Sequence, residues 1–247
     1  MLYSDIFHKR GKAYHHAMQD FSHARDQEFL YLFDTFETNT VRKVVDVPSG
    51  GCYLKPFLPK ANIAHVDPTQ AFLNLCDSEV NRFCAPLSKL PFENETFEIL
   101  VSLAGTHHME DKTRFFTEAF RVLQDHAIFT YADVMRGSKE DRFLNGFVNA
   151  HNSLGHEGVF IDHTITQVLQ AHHFVIQKAS YRALQWSFAS EEAMVTFVKL
   201  LFGIDKAKDH VILKALQEIL GYSSHADGVH LNWGLYYIVA TTNKKKG

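Results

Sequence analysis

Three acids close short apolar runs in this chain. VVDV (44–47) carries Asp46, ANIAHVD (61–67) ends in Asp67, and AIFTYADV (127–134) carries Asp133. Asp67 follows Asp46 by 21 residues. In a doubly wound sheet an acid at about that separation takes the ribose hydroxyls of an adenosyl cofactor, because the end of the second strand lies beside the first loop. An acid after a strand is also common without a ligand. His107-His108 follow a fourth apolar run, TFEILVSLAG (96–105), and His151, Asn152, His156 and Glu157 lie in a less regular stretch. Titratable groups tuned for proton transfer collect at sites. His107, His108, Asp133 and His151 are therefore the candidates for a base, although histidines at such positions also serve as plain hydrogen-bonding residues. The H-x4-H-E spacing of His151, His156 and Glu157 matches none of the common metal motifs, so no metal is expected.

The loop VPSGGCYL (47–54) limits the cofactor. A pyrophosphate site needs free backbone N–H groups and a helix N-terminus. Pro48 removes one donor, and KPFL offers only a stub of helix, which disfavours NAD, FAD and ATP. Gly50 and Gly51 still permit close backbone approach, as a cofactor without phosphate requires. The same residues also read as a plain β-turn entering a helix.

The elements that would hold these residues follow from pattern. Residues 1–40 read as helical. Strands are expected at 41–47, 61–67, near Arg82-Phe83-Cys84, at 96–105 and at 127–134, with helices at 69–77 and 111–124. The continuous apolar run 96–105 suits a strand covered on both faces. Strand–helix alternation predicts a parallel, doubly wound sheet. Further on, HTITQVLQAHH reads as a helix whose end suits His172-His173. FVIQKASYRALQWSF and GVHLNWGLYYIVATT read as strands. Between them, Ser190 with Glu191-Glu192 starts a helix that Gly203 stops, and a second helix runs from Asp209 to Leu220.

The segment 87–123 resembles the class I S-adenosylmethionine-dependent methyltransferases, and most closely their small-molecule group that includes quinone-biosynthesis C-methyltransferases. The shared pattern is Leu90-Pro91-Phe92, Phe97-Glu98, His107-His108, Asp111, and Glu118 with Arg121-Val122-Leu123. The likeness runs from about residue 41 to 134. It implies a Rossmann-like, doubly wound, mostly parallel sheet with an antiparallel last strand, plus helical N-terminal and cap insertions. It also implies S-adenosylmethionine as the cofactor, with Asp46, Pro48, Ser49 and Gly50 at the methionine part and Asp67 at the ribose. Pro68-Thr69 would lie near the adenine, with backbone groups of Leu87 and Ser88 reading it. Ser102, Leu103 and Ala104 would line the methionine side. N-terminal helices often close over the cofactor in this family, which nominates Tyr14, His15 and Arg25; an Arg there could pair with the methionine carboxylate. Each of the three also reads as a surface residue of an amphipathic helix.

Bulk properties agree. The 247 residues are 46% hydrophobic and 21% charged with a net charge of -3, ordinary for one globular domain. There is no basic footprint for nucleic acid and no apolar run of the roughly 18 residues that span a membrane. The N-terminus is charged and lacks an apolar stretch, so no signal peptide is expected. Cys52, Cys76 and Cys84 are too few and irregular for a disulfide framework, so a reducing cytoplasm is expected. The Lys244-Lys245-Lys246 tail is expected to be a solvated end. The whole chain is read as a single domain: N-terminal helices 1–40, a cofactor-binding core 41–135, and substrate-cap segments 136–160 and 187–226. The aromatic stripe from Gln185 to Leu220 would form that cap or a homodimer surface. The expected activity is methyl transfer to a small molecule, with no nucleic-acid or membrane partner. The alternatives are an inactive cofactor- or partner-binding protein of the same fold, or a nicotinamide oxidoreductase, which Pro48 disfavours.

Overall fold

The computed structural model describes residues 3–244. An N-terminal helix α1 (Tyr3–Asp20) and a short α2 (Asp26–Leu30) precede β1 (Lys43–Asp46) and β2 (Asn62–Asp67). Then come α3 (Gln70–Leu73), β3 (Asn81–Cys84), β4 (Phe97–Leu103), α4 (Thr113–Val122) and β5 (Leu123–Asp133). A helix follows in three parts, α5 (Lys139–Asp141), a wider π turn (Arg142–Val148) and α6 (Asn149–His151). The chain continues through α7 (Ile165–Ala171), β6 (Phe174–Phe188), α8 (Glu191–Phe202) and α9 (Asp209–Ala215). It ends in β7 (Tyr222–His225) and β8 (Gly228–Thr242).

The sheet runs β3-β2-β1-β4-β5-β8-β6, with β7 also on β8. The pairs β3/β2, β2/β1, β1/β4 and β4/β5 are parallel, and β8 is antiparallel to β5, β6 and β7. The expected Rossmann-like sheet with an antiparallel last strand is what the chain forms. β1 and β4 read as unbroken apolar runs because both their faces are covered: Val44, Val45, Leu100 and Val101 are fully buried. On one face α4 presents Phe115, Phe116, Ala119 and Val122, all fully buried, a helical stripe. Burying each phenylalanine contributes about 1.5–3 kcal/mol. On the other face α1, α2, α8 and α9 share a core with Leu184, Trp186, Leu231 and Trp233 of the long strands.

The late helices start and stop where their capping residues stand. The Ser190 hydroxyl accepts from Ala193 N–H, and Gly203 ends α8 at φ +65°. Replacing Ser190 with alanine is expected to cost about 0.5–2 kcal/mol, read as a lowered thermal midpoint with an unchanged fold; a midpoint equal to wild type would show the cap to be idle.

Three expectations are corrected. The helix read over 69–77 is only Gln70–Leu73, because Arg82 Nη1 donates to the carbonyls of Leu73 and Cys76 and ends it early. Cys52 and Cys76 form a disulfide. The turn after β1 and the segment after α3 are neighbours in space but 24 residues apart in the chain, a pairing that spacing does not reveal. The cysteine count therefore gives no argument for a reducing compartment. Lys244 is no solvated end: its ammonium lies 3.5 Å from Glu95, donates to the Arg121 carbonyl and sits over Phe120. Lys245 and Lys246 lie outside the described residues, as do the first two residues of the N-terminus. Among the described residues no helix is long and apolar enough to cross a membrane.

Candidate active site

The strand order reverses between β1 and β4, and a cleft opens above their carboxyl ends, where α/β sheets hold ligands. Asp46, Pro48, Ser49, Gly50, Leu103 and Ala104 line it. Aromatic rings roof it: Phe7 and Tyr14 of α1, Tyr53, and Phe72 of α3. Phe7 stacks on Phe72 at 5.1 Å, so α1 lies across the mouth. The cleft encloses about 520 Å³ when its solvent-open mouth is included.

The loop is shaped by local constraints. Gly50 stands at φ +54° with Phe72 3.4 Å from where a Cβ would be, so glycine is required there. Cys52 also has a positive φ, 64°, and its disulfide ties the loop to the segment after α3. Ser49 Oγ and Thr69 Oγ1 are buried without a hydrogen-bond partner. The Asp46 carboxylate faces the cleft 3.0 Å from His65 Nδ1. Burial outweighs that hydrogen bond and raises its pKa.

Asp67 does something other than expected. Its oxygens accept from Gly50 N–H (3.0 Å) and Thr69 N–H (2.8 Å), it is fully buried, and it does not line the cleft. It braces the loop after β1 through Gly50 and the turn after β2 through Thr69. Ser102 is likewise fully buried beneath the cleft. Pro68, Leu87 and Ser88 line neither this cleft nor the pocket beside it.

The second pocket shares Phe7, Tyr14 and Ala104 with the first. Its far walls come from the segments expected to form a cap: Leu144, His156, Leu201 and Phe202. Trp186 and Trp233, stacked at 4.4 Å, form its floor. Three histidines converge here. His107, His108 and His156 bring ring nitrogens within 4.8 Å of one another. The loop carrying His156 is held by Val159 N–H on the His107 carbonyl (2.7 Å) and by Asn145 on both backbone groups of Gly158. Asp133 is fully buried and accepts from His107 Nδ1 (2.8 Å), Thr106 Oγ1 (2.8 Å) and Val134 N–H (2.8 Å). Burial opposes its charge, but His107 and these donors prevail and its pKa lies below the carboxylate range. Burial, with the neighbouring His107 and Arg10, drives the His156 pKa down to about 3. Burial and the adjoining His107 and His156 lower His108 as well.

Of the base candidates, His107, His108 and Asp133 come together. His151 does not: its Nδ1 is 2.8 Å from the Phe147 carbonyl and its ring packs on Phe147. Asn152 is buried on the Phe202 carbonyl, and Glu157 is exposed. His15 bonds Tyr53 at 2.9 Å. Arg25 meets a carboxylate inside the protein rather than that of a cofactor: it is buried in a two-point pair with Glu28, and its Nη1 donates to Tyr14 (2.7 Å). It borders the second pocket, not the cleft.

The quoted motif has a structural basis. Arg121 binds Glu118 through two nitrogens and donates to the carbonyls of Phe92 and Leu90, while Glu118 accepts from Leu90 N–H. Asp111 Oδ1 accepts from Thr113 N–H at the start of α4. Glu118 and Arg121 thus clamp the turn at 90–94 to α4 and line neither pocket, whereas His107 and His108 of the same motif line the second.

Phe7, Arg10, Tyr53, Phe72 and Glu28 line the pockets without having been singled out from sequence. Only the apolar spacing of Phe7 and Phe72 marks them, and that spacing also describes core.

Residues 45–130, a little over a third of the chain, match the family model described as "Methyltransferase domain". The phthiotriol/phenolphthiotriol dimycocerosates methyltransferase of Mycobacterium leprae (strain TN) is 26% identical over 106 residues, 41% of this chain and 39% of that protein. The chain therefore aligns with well under half the length of that relative. A Thermotoga maritima structure described as a SAM-dependent methyltransferase shares the fold: TM-score 0.64, 14% identity, 98% of this chain and 99% of that one. So does Haemonchus contortus phosphoethanolamine N-methyltransferase 2 in complex with S-adenosyl-L-methionine: TM-score 0.64, 13% identity, 99% of this chain and 60% of that one.

Proposed function

We propose that this protein transfers the methyl group of S-adenosylmethionine to a small organic acceptor. One observation carries the reading. The cleft above β1 and β4 adjoins a second, aromatic pocket, with Phe7, Tyr14 and Ala104 lining both, an arrangement that suits one site for a donor and one for an acceptor.

The cleft suits this cofactor. Ser49 Oγ and Thr69 Oγ1 await partners, the Asp46 carboxylate stands where a cationic group would lie, and the phenyl and phenol rings offer flat apolar faces. It lacks a phosphate cradle, because Pro48 has no N–H. When bound, the cofactor supplies an electrophilic methyl on a sulfonium. The protein's part is alignment and exclusion of water. Asp67 holds the loop, α1 covers it with Phe7, and Trp186 and Trp233 keep the acceptor side dry. The methyltransferase names of the relatives support the reaction type. The mostly apolar, aromatic lining of the acceptor pocket, with a few polar groups converging in it, supports a small molecule over a macromolecule.

Calorimetric titration with S-adenosylmethionine, S-adenosylhomocysteine and NAD tests this. Binding of the first two without the third is expected; no binding of either would refute the proposal. Asp67→Ala removes the acceptor for two loop amides. Hydrogen bonds to charged groups contribute roughly 1.5–3 kcal/mol, so S-adenosylhomocysteine should bind at least about tenfold more weakly. Unchanged affinity would remove Asp67 from the account.

A further inference from the structure

From the convergence of His107, His108 and His156 in the acceptor pocket, we infer that the protein binds one divalent transition-metal ion there, with an open position for an anionic oxygen of the acceptor. The metal site stands on geometry alone; the acceptor class rests also on the methyl-transfer reading.

The ring nitrogens lie within 4.8 Å of one another. Three histidine nitrogens on a tetrahedral zinc ion at about 2.0–2.1 Å sit about 3.3 Å apart, so the rings must close by about 1.5 Å at most. Three neutral imidazoles suit zinc or iron rather than magnesium or calcium. Two of the rings are already oriented as metal-ligating histidines usually are, with the other nitrogen on a fixed acceptor. His107 Nδ1–H donates to Asp133, a buried carboxylate that can only accept. His156 Nδ1 lies 3.2 Å from Asn145 Oδ1. That amide cannot be reversed, because its oxygen accepts from Gly158 N–H and its nitrogen donates to the Gly158 carbonyl. In both rings Nε2 is then the nitrogen left for a ligand.

Arg10 indicates what completes the coordination. It lines the same pocket, and its Nε is buried without an acceptor. A cation beside a dication is unfavourable unless an anion lies between them. An acceptor bound through an ionised oxygen would meet the metal on one side and Arg10 on the other. Its proton would leave to solvent on coordination, and the ionised oxygen would then need no separate base.

The test uses tag-free protein stripped with a chelator. Zn²⁺ is titrated calorimetrically, Co²⁺ is followed by visible absorption, and S-adenosylhomocysteine is titrated in parallel. One Zn²⁺ per chain and the ligand-field bands of nitrogen-ligated Co²⁺ are expected in the wild type, with both lost in His107→Ala and His156→Ala. Asn145→Ala leaves all three rings in place and should weaken Zn²⁺ roughly 10–100-fold, which keeps the test open if a histidine variant fails to fold. No stoichiometric binding by wild type, or equal binding by wild type, His156→Ala and Asn145→Ala, would overturn the inference. Metal binding without S-adenosylhomocysteine binding would uphold the metal site and sink the methyl-transfer reading. S-adenosylhomocysteine binding without metal would do the reverse.

Discussion

Replacing Glu28 with alanine is expected to destabilise the fold by about 3–5 kcal/mol, the usual cost of leaving one partner of a buried ion pair alone. Glu28 and Arg25 are both buried. Burial opposes the Arg25 charge, yet Glu28 and Tyr14 hold its pKa above the ordinary arginine range. Removing the carboxylate would strand that guanidinium inside the core. It would also strand the Trp186 indole N–H, which donates to Glu28 Oε2 at 2.8 Å. At about 2–4 °C per kcal/mol for a chain of this size, the thermal midpoint should fall by on the order of 10 °C. The double variant Glu28→Ala/Arg25→Met, which removes both charges, should recover part of the loss. A midpoint shift below about 2 °C in the single variant, under 1 kcal/mol by the same scale, would mean that the pair is solvated and contributes little.

The second large effect concerns the cleft. Gly105 follows β4, and a Cβ there would lie 2.2 Å from Cγ and 2.9 Å from Cδ of Pro48. A proline ring cannot swing aside, so either the loop or the end of β4 must move. Pro48, Ser49, Gly50, Leu103 and Ala104, which line the cleft, would all be displaced. Gly105→Ala is therefore expected to weaken S-adenosylhomocysteine binding by at least about tenfold, roughly 1.4 kcal/mol, in a protein that still melts cooperatively. Gly146→Ala is the control. It has no atom within 4 Å of its added methyl and should leave affinity unchanged. Equal affinities for wild type and both variants would show that the loop and β4 do not position the cofactor.

Much of the fold was legible because it is written in local pattern. β6 and β8 occupy the two late runs read as strands, and α8 lies between its capping serine and its stopping glycine. The core strands β1 and β4 were visible as apolar runs because a strand covered on both faces needs no polar residues. β7 was not seen. YSSH has no alternation, and it is a strand only because β8 offers it an edge beyond β5.

The cleft was half legible. Asp46, Pro48, Ser49, Gly50, Leu103, Ala104 and Tyr14, named from the sequence as cofactor contacts, come together around it, since strand ends and the first loop must meet at a switch point. Its aromatic roof was not, because Phe7 and Phe72 belong to helices whose spacing in sequence says nothing of their meeting.

The positions of the strands along the chain, the turn chemistry and the identity of the loop residues are local or periodic properties, and the linear chain carries them. The roles of individual polar groups are not of that kind. Asp67 faces its own loop rather than the cleft, Arg25 finds Glu28, Cys52 finds Cys76, and His156 joins His107 and His108 across 49 residues. Each outcome depends on which donor, acceptor or sulfur lies within a few ångströms once the layers have packed. Hydrogen bonds, disulfides and metal ligation act only at that range, so only the folded chain could settle them.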